Sequence, residues 1–111
     1  KNKHSNICIK CFNKDKDRFL NRTKERVLSD YKSIEKGFIA IRKHSRYIYN
    51  TSNKPKYCTV CGYNKHYEIC HIKAISEFEN NTVIKEINNI DNLTALCRNH
   101  HWELDNGLLK L

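Results

Sequence analysis

The residues of this sequence with the clearest chemistry are two short ligand pairs in its C-terminal half. Cys58-Thr-Val-Cys61 is a C-x2-C pair, Cys97-Arg-Asn-His100 is a C-x2-H pair, and 35 residues separate them. Each pair has the turn spacing at which two soft ligands bind one tetrahedral Zn²⁺. The sequence therefore predicts a structural zinc held by Cys58, Cys61, Cys97 and His100.

Further polar residues lie between these pairs and just after them. His71 stands within Glu68-Ile-Cys-His-Ile72, Asn92 precedes the second pair, and His101 directly follows it. Asp105 lies four residues after His101. On a helix that spacing is about one turn, so the imidazole and the carboxylate can share one divalent cation.

Three blocks of this region resemble the HNH nucleases that carry a Cys/His zinc ribbon. The blocks are Tyr67-Glu-Ile-Cys-His-Ile-Lys73, Asn92-Leu-Thr-Ala-Leu-Cys97 and His100-His-Trp-Glu-Leu-Asp105. Asn92 and His101 are nine residues apart, as in that family. The resemblance implies an α+β fold, a small zinc-stapled ββα-metal domain, and a metal-dependent endonuclease that hydrolyses DNA phosphodiester bonds.

The resemblance also implies a role for each residue. His71 would be the general base that activates water, because neutral imidazole can accept a proton near neutral pH. Asn92 would hydrogen-bond across the loop backbone and hold the strand that presents His71. His101 would bind the catalytic cation, together with Asp105. That cation would be Mg²⁺ or a transition metal ion such as Mn²⁺, Ni²⁺ or Zn²⁺.

The residue before the general base departs from the family pattern. Asp or His usually stands there and binds the catalytic metal, whereas this chain has Cys70. Thiolate is a poor ligand for Mg²⁺ and a better one for Zn²⁺ and other late transition metals, so the identity of the metal is open. Glu68, on the same strand face, could replace the missing ligand. Alternatively, Cys70 is buried, and His101, Asp105 and substrate phosphate hold the metal.

Two ligand assignments have alternatives. We assign His100 to zinc and His101 to catalysis because of the C-x2-H spacing, and the reverse assignment would require adjacent side chains to exchange faces. Cys8 and Cys11 form another C-x2-C pair without a second local pair. They could be half of a second zinc site, or spare thiols in an N-terminal arm.

Positive charge is concentrated in one half of the chain. Residues 1–57 hold 16 Lys/Arg against 5 Asp/Glu, a net charge of +11, whereas residues 58–111 hold 5 against 7, a net charge of −2. Basic surface attracts a polyanion through counterion release, so we expect DNA as the partner. The expected DNA-binding residues are Arg42, Lys43 and Arg46 on one helix face, with Lys54, Lys56 and the N-terminal arm as further candidates.

Composition bears on the cellular setting and on stability. The chain has 111 residues, six cysteines and an apolar fraction of 39%, so its core is thin and a bound metal would stabilise it strongly. A disulfide framework is the alternative use of the cysteines. No secretory signal and no apolar stretch of about 18 residues is visible, so we expect a reducing, cytoplasmic setting and no membrane partner.

Three segments are expected to position the site: an N-terminal arm over residues 1–22, a basic helical segment over 23–55, and the nuclease domain over 56–111. A helix capped by Thr23 should continue along one apolar stripe, and Gly37 should break or weaken it. A second helical stretch should follow. The stripe consists of Val27, Tyr31, Ile34 and Phe38, and the buried face of the second stretch consists of Phe38, Ile41, Ser45 and Ile48.

The nuclease domain should contain two strands and a C-terminal helix. We predict strands over residues 66–72 and 93–96, a helical turn around Ile84, and a helix over residues 99–106 that Gly107 ends. Trp102 is expected to pack in the core.

Three classes of function are compatible with these features. A metal-dependent endonuclease explains all of them. A noncatalytic zinc module that binds DNA or RNA would use the ligand pairs and the basic helix without any need for His71, and a protein interaction domain would leave the basic half without a role. One HNH unit holds one active site, so double-strand cleavage would need a homodimer or two events. A setting in restriction, phage or mobile-element biology is open.

Overall fold

The computed structural model describes residues 18–111. Cys8 and Cys11, and the second zinc site considered for them, lie outside the described residues. Within residues 18–111, no helix is both long enough and apolar enough to cross a membrane.

Two helices precede the zinc-ligand region, and each begins at a hydroxyl cap. Helix α1 spans Lys24–Asp30, and the Arg26 N–H donates to Thr23 Oγ1 at 3.2 Å, as expected for the predicted cap. Helix α2 spans Ile34–Asn50, and the Lys36 N–H donates to Ser33 Oγ at 3.2 Å. Because Ser33 starts a new helix, the chain changes direction after α1.

The predicted apolar stripe from α1 through residue 38 is therefore wrong. Tyr31 and Ile34 are 41% and 66% exposed, since they flank the break between the helices. Gly37 lies inside α2 rather than at its end. A Cβ at Gly37 would stand 2.6 Å from Leu28 Cδ2 and 3.3 Å from Leu28 Cα, so the missing side chain lets α1 and α2 approach closely.

Helix α2 packs against the segment between the two strands. Its buried residues are Gly37, Ile41, Ser45 and Tyr49. Val27 and Ile41 from the two helices form one apolar cluster with three isoleucines of that segment, Ile75, Ile84 and Ile87. Tyr49 instead packs with Leu93 and Ala95 of the second strand, and its hydroxyl donates to the Pro55 carbonyl at 2.7 Å.

Two antiparallel strands and a helix form the C-terminal unit. Strand β1 (Glu68–His71) pairs with β2 (Leu93–Leu96), in a register that places Glu68 opposite Leu96 and His71 opposite Leu93. Between the strands lie helix α3 (Ile84–Ile87) and two 3-10 turns, Ile75–Glu77 and Ile90–Asn92. Helix α4 spans Arg98–Asp105. The predicted α+β class is confirmed.

Helix α4 ends just before Gly107, as predicted. Gly107 has a φ of +75°, its N–H donates to the Leu104 carbonyl, and the Leu108 N–H donates to the Glu103 carbonyl. These bonds satisfy carbonyls that the helix itself leaves free. The expectation that Trp102 is a core residue is wrong, because it is 59% exposed. Leu104 instead packs onto the core.

We predict that Gly37→Ala destabilises the fold. The added methyl must displace Leu28, which should cost about 1–3 kcal/mol, and the gain in helix propensity of about 1 kcal/mol offsets only part of this. Chemical denaturation should show the loss. Lys36→Ala, at an exposed position of the same helix, is the control and should leave stability within about 0.5 kcal/mol. A Gly37→Ala variant as stable as the parent would contradict the close packing.

Candidate functional site

The four predicted zinc ligands converge on one point. The thiol sulfurs of Cys58, Cys61 and Cys97 and a ring nitrogen of His100 all lie within 4.8 Å of one another. Cys61 Sγ is 3.9 Å from Cys97 Sγ, and His100 Nδ1 is 3.5 Å from Cys58 Sγ. Zn–S bonds of about 2.3 Å in a tetrahedron separate two sulfurs by about 3.8 Å. The cluster could therefore hold a zinc ion.

Backbone hydrogen bonds shape the first ligand pair. The Gly62 N–H donates to the Cys58 carbonyl at 2.8 Å, and Gly62 has a φ of +81°, which a side chain would disfavour. The Thr59 N–H donates to the Ala95 carbonyl at 3.0 Å and ties this turn to β2. The second pair lies at the start of α4, where Cys97 is the N-cap residue.

The electrostatics of the cluster suit a cation. Burial raises the pKa of the Cys58 thiol, but hydrogen bonds from the backbone of Cys97, Cys61 and Val60 outweigh it and lower this pKa to about 6. Hydrogen bonds to Cys58 and Cys97 raise the pKa of His100. A thiolate at Cys58 and positive charge drawn to the His100 imidazole suit a divalent metal, which would replace that proton.

The second histidine of α4 faces a different set of partners. His101 Nδ1 lies 2.5 Å from Glu68 Oε1, and His101 Nε2 lies 3.4 Å from Asp105 Oδ2. A carboxylate can only accept, so Nδ1 carries the hydrogen and donates it to Glu68. A cation bound between Nε2 and the Asp105 carboxylate would take the Nε2 lone pair. Histidine ligands of metals commonly donate their other N–H to a carboxylate in this way.

His71 contacts a residue that the sequence analysis did not identify. His71 Nε2 lies 2.6 Å from Asn88 Oδ1, and the Asn88 Nδ2–H donates to the Ile41 carbonyl at 3.1 Å. Burial lowers the pKa of His71, and the Arg42 charge lowers it further, while the Asn88 hydrogen bond opposes both. The ring is therefore held as neutral imidazole at neutral pH. No local pattern marks Asn88, because its partners lie 17 and 47 residues away.

Asn92 bridges the loop that follows β1. Its Oδ1 accepts from the Lys73 N–H at 2.8 Å, and its Nδ2 donates to the carbonyls of Lys73 and Ile87 at 3.2 and 2.9 Å. The Ile72 N–H donates to the Asn92 carbonyl at 2.8 Å. This one side chain thus ties the end of β1 to the segment that leads into β2.

One pocket of 240 Å³ brings the candidate catalytic residues together. His71, His101 and Asp105 line it, with Arg42 and Phe38 from α2 and residues 74–76. A neighbouring groove shares Arg42 and His101 and continues along Arg46 and Asn50. The pocket therefore combines an imidazole base, a His and carboxylate pair and a guanidinium group.

The Cys70 side chain lies in the core and not in this pocket. It is buried with Cys58, Leu96 and Cys97, and among the described residues it does not line the pocket. Burial raises the pKa of Cys70 to about 12, and the nearby charge of Glu68 adds to the rise. A thiol in this state is a weak metal ligand. Cys70 is therefore buried, as one of the two alternatives required, and Glu68, the suggested replacement, contacts His101.

The basic residues predicted to bind DNA differ in their surroundings. Arg42 and Arg46 lie one turn apart on α2 and line the groove. Lys43, which the sequence analysis placed on the same face, is exposed but is absent from the described lining of the pocket and the groove. The Lys56 ammonium donates to the carbonyls of Ser52 and Lys54, so it stabilises the segment that follows α2.

We predict one zinc per chain at the Cys/His cluster, in addition to any ion bound outside residues 18–111. Cys97→Ser should lose this zinc and destabilise the fold, because the apparent binding free energy of such sites is about 10–16 kcal/mol. Cys70→Ala is the matched control and should keep the zinc. Elemental analysis of both variants measures the zinc content, and thermal unfolding measures the stability of the fold. Full zinc content in Cys97→Ser would contradict the assignment.

Comparison with known proteins agrees with this arrangement. The family model described as HNH endonuclease matches residues 58–111. Searches of curated proteins and of solved structures found no match. The matched segment contains the Cys/His cluster and both strands, and α2 lies before it. Residues 58–111 are a domain of the HNH endonuclease family.

Proposed function

We propose that this protein is a metal-dependent endonuclease that hydrolyses DNA phosphodiester bonds. The observation that carries the proposal is the shared pocket of His71, His101 and Asp105 within a domain of the HNH endonuclease family. Hydrolysis of a phosphodiester needs a base for the attacking water, positive charge near the phosphate, and stabilisation of the leaving 3′ oxygen. The pocket offers a residue for each requirement.

His71 is the proposed general base. Its pKa is lowered by burial, so the neutral ring that can accept a proton is present at neutral pH. The proton of the attacking water moves to His71 Nδ1, the water oxygen bonds to phosphorus, and the bond from phosphorus to the 3′ oxygen breaks. Asn92 supports this step indirectly, because it holds the loop after the strand that carries His71.

The proposed catalytic cation is held by His101 Nε2 and Asp105, with substrate phosphate as a further ligand. Glu68 orients the ring of His101 rather than replacing the missing ligand, since it accepts the Nδ1 hydrogen. A bound divalent cation would neutralise negative charge on the phosphate and on the leaving oxygen. Nitrogen and carboxylate donors without a thiolate suit Mn²⁺ and Ni²⁺ as well as Mg²⁺.

Arg42 and Arg46 are the proposed contacts to the DNA backbone. The Arg42 guanidinium lies 5.6 Å from the centre of the Phe38 ring, which also lines the pocket. Stacking of this kind restrains the flexible side chain near the catalytic residues. Because α2 continues to Arg46 and Asn50 along the groove, DNA bound in the pocket would extend beside this helix.

We predict that His71→Ala lowers the rate of plasmid cleavage at least 100-fold while DNA affinity and zinc content stay close to those of the parent. General base catalysis contributes about 10²–10⁴-fold, and His71 lies outside the zinc cluster. Nicking assays with Mg²⁺, Mn²⁺ and Ni²⁺, and with EDTA as blank, measure the rate. His66→Ala, an exposed histidine two residues before β1, is the matched control and should cleave normally. Cleavage by His71→Ala within tenfold of the parent would remove His71 from this role, whereas a parent that cleaves no DNA with any of these metals would favour a noncatalytic DNA- or RNA-binding module.

We also predict different effects for two adjacent cations of α2. Arg42→Ala should weaken DNA binding, reduce the log-log salt slope by about one unit and slow cleavage at saturating DNA, because Arg42 lines the catalytic pocket. Lys43→Ala should affect affinity at most, with an unchanged rate at saturation. Binding is measured in EDTA over a series of salt concentrations. Equal effects of both substitutions on the saturated rate would show that only general charge matters.

A further inference from the structure

The hydrogen bonds of Asn88 determine which nitrogen of His71 carries a hydrogen. The Ile41 carbonyl can only accept, so the nitrogen of the Asn88 amide must face it, at 3.1 Å. The amide oxygen then faces His71 Nε2 at 2.6 Å. This oxygen can also only accept, so Nε2 of the ring carries the hydrogen. In the neutral ring, Nδ1 is consequently left with a free lone pair.

Asn88 is well placed to keep this arrangement fixed. It is 1% exposed, directly after α3, and cannot exchange its hydrogen bonds for water. Turning the amide over would set Oδ1 against the Ile41 carbonyl, two groups that can only accept, and would leave this contact without a hydrogen bond. The two bonds therefore support one another, and the orientation of the amide is set from α2.

We infer that Asn88 is a positioning residue that holds His71 in the Nε2–H tautomer, and that the Ile41 carbonyl of α2 anchors it. The catalytic part of this inference rests on the proposed function, in which His71 Nδ1 receives the proton of water. The other tautomer would place a hydrogen on Nδ1 and could not accept that proton. A residue that orients a functional histidine by accepting the hydrogen of its other ring nitrogen contributes about 10–100-fold to activity.

This arrangement makes α2 part of the catalytic centre. Ile41 anchors Asn88 and the next residue, Arg42, lines the pocket, so one turn of α2 orients the base and places a cation beside it. Both residues lie before residue 58, where the family match begins. The nuclease site of this chain is therefore completed by a helix outside the matched domain.

The first test reads the tautomer directly. Nitrogen-15 NMR of the His71 ring, in the full chain without DNA or catalytic metal, should show a protonated Nε2 and an unprotonated Nδ1. Asn88→Leu should lose this preference, because it removes the acceptor. Asn88→Asp should keep it, because a carboxylate still accepts from Nε2. A wild-type ring protonated at Nδ1, or an unchanged preference in Asn88→Leu, would overturn the inference whether or not the protein cleaves DNA.

The second test measures kcat and KM for DNA cleavage. Asn88→Leu should lower kcat by about 10–100-fold with KM within about threefold, because substrate contacts are intact. Thr94→Val is the matched control: it removes a buried hydrogen bond to Thr59 but contacts neither His71 nor Asn88, and should change stability rather than kcat. If Asn88→Leu fails to fold, Asn88→Asp with the NMR readout decides the question. A kcat of Asn88→Leu within threefold of the parent would overturn the positioning role, whereas a wild type inactive with every metal would refute only the proposed function.

Discussion

The convergence of two ligand pairs on one point is the constraint on which the C-terminal unit depends. Cys58 and Cys61 approach from before β1, and Cys97 and His100 approach from the start of α4. One bound ion would thus join the chain before β1 to the chain after β2, at one end of a two-stranded sheet that is too small to be stable by itself. The apolar cluster beneath it consists partly of the cysteines themselves, with Leu96 and Cys70.

That constraint also separates the Cys/His cluster from the site proposed for the catalytic cation. His100 and His101 are neighbours on α4, and their side chains differ by about 100° around the helix axis. His100 therefore joins the thiols, while His101 faces Glu68 and Asp105. The three thiols are confined to the Cys/His cluster, and the carboxylates of Glu68 and Asp105 lie beside His101. The burial of Cys70 maintains this separation, because its thiol stays protonated within the core.

A second constraint comes from the packing of α2. Ile41 is buried against the isoleucines of the segment between the strands, and the same turn of helix reaches Asn88 and the pocket. The packing of α2 and the geometry of the pocket are consequently coupled. A shift of α2 would disturb the orientation of His71 and the position of Arg42 together. Under the proposed function, a basic helix that precedes the domain would thereby act on catalysis as well as on DNA affinity.

Features that depend on local geometry were predictable from the sequence. The ligand pairs, the Thr23 cap, strand β2 and the Gly107 helix end each arise from residues within one turn or one strand. The break at Ser33 was also a local signal, but the apolar spacing of Tyr31 and Ile34 competed with it. Hydrophobic periodicity cannot show whether a helix continues or restarts. The Ser33 cap decides that a new helix begins at Ile34.

The sequence by itself therefore determined the α+β class, the Cys/His cluster, and which histidine residues resemble those of the family. Only the tertiary structure decided that Glu68 supports His101, that Cys70 is buried, and that Asn88 and Arg42 meet at His71. The physical reason is sequence separation. Asn88 lies 47 residues from Ile41, and its hydrogen bonds exist only because the apolar cluster brings α2 against the segment between the strands.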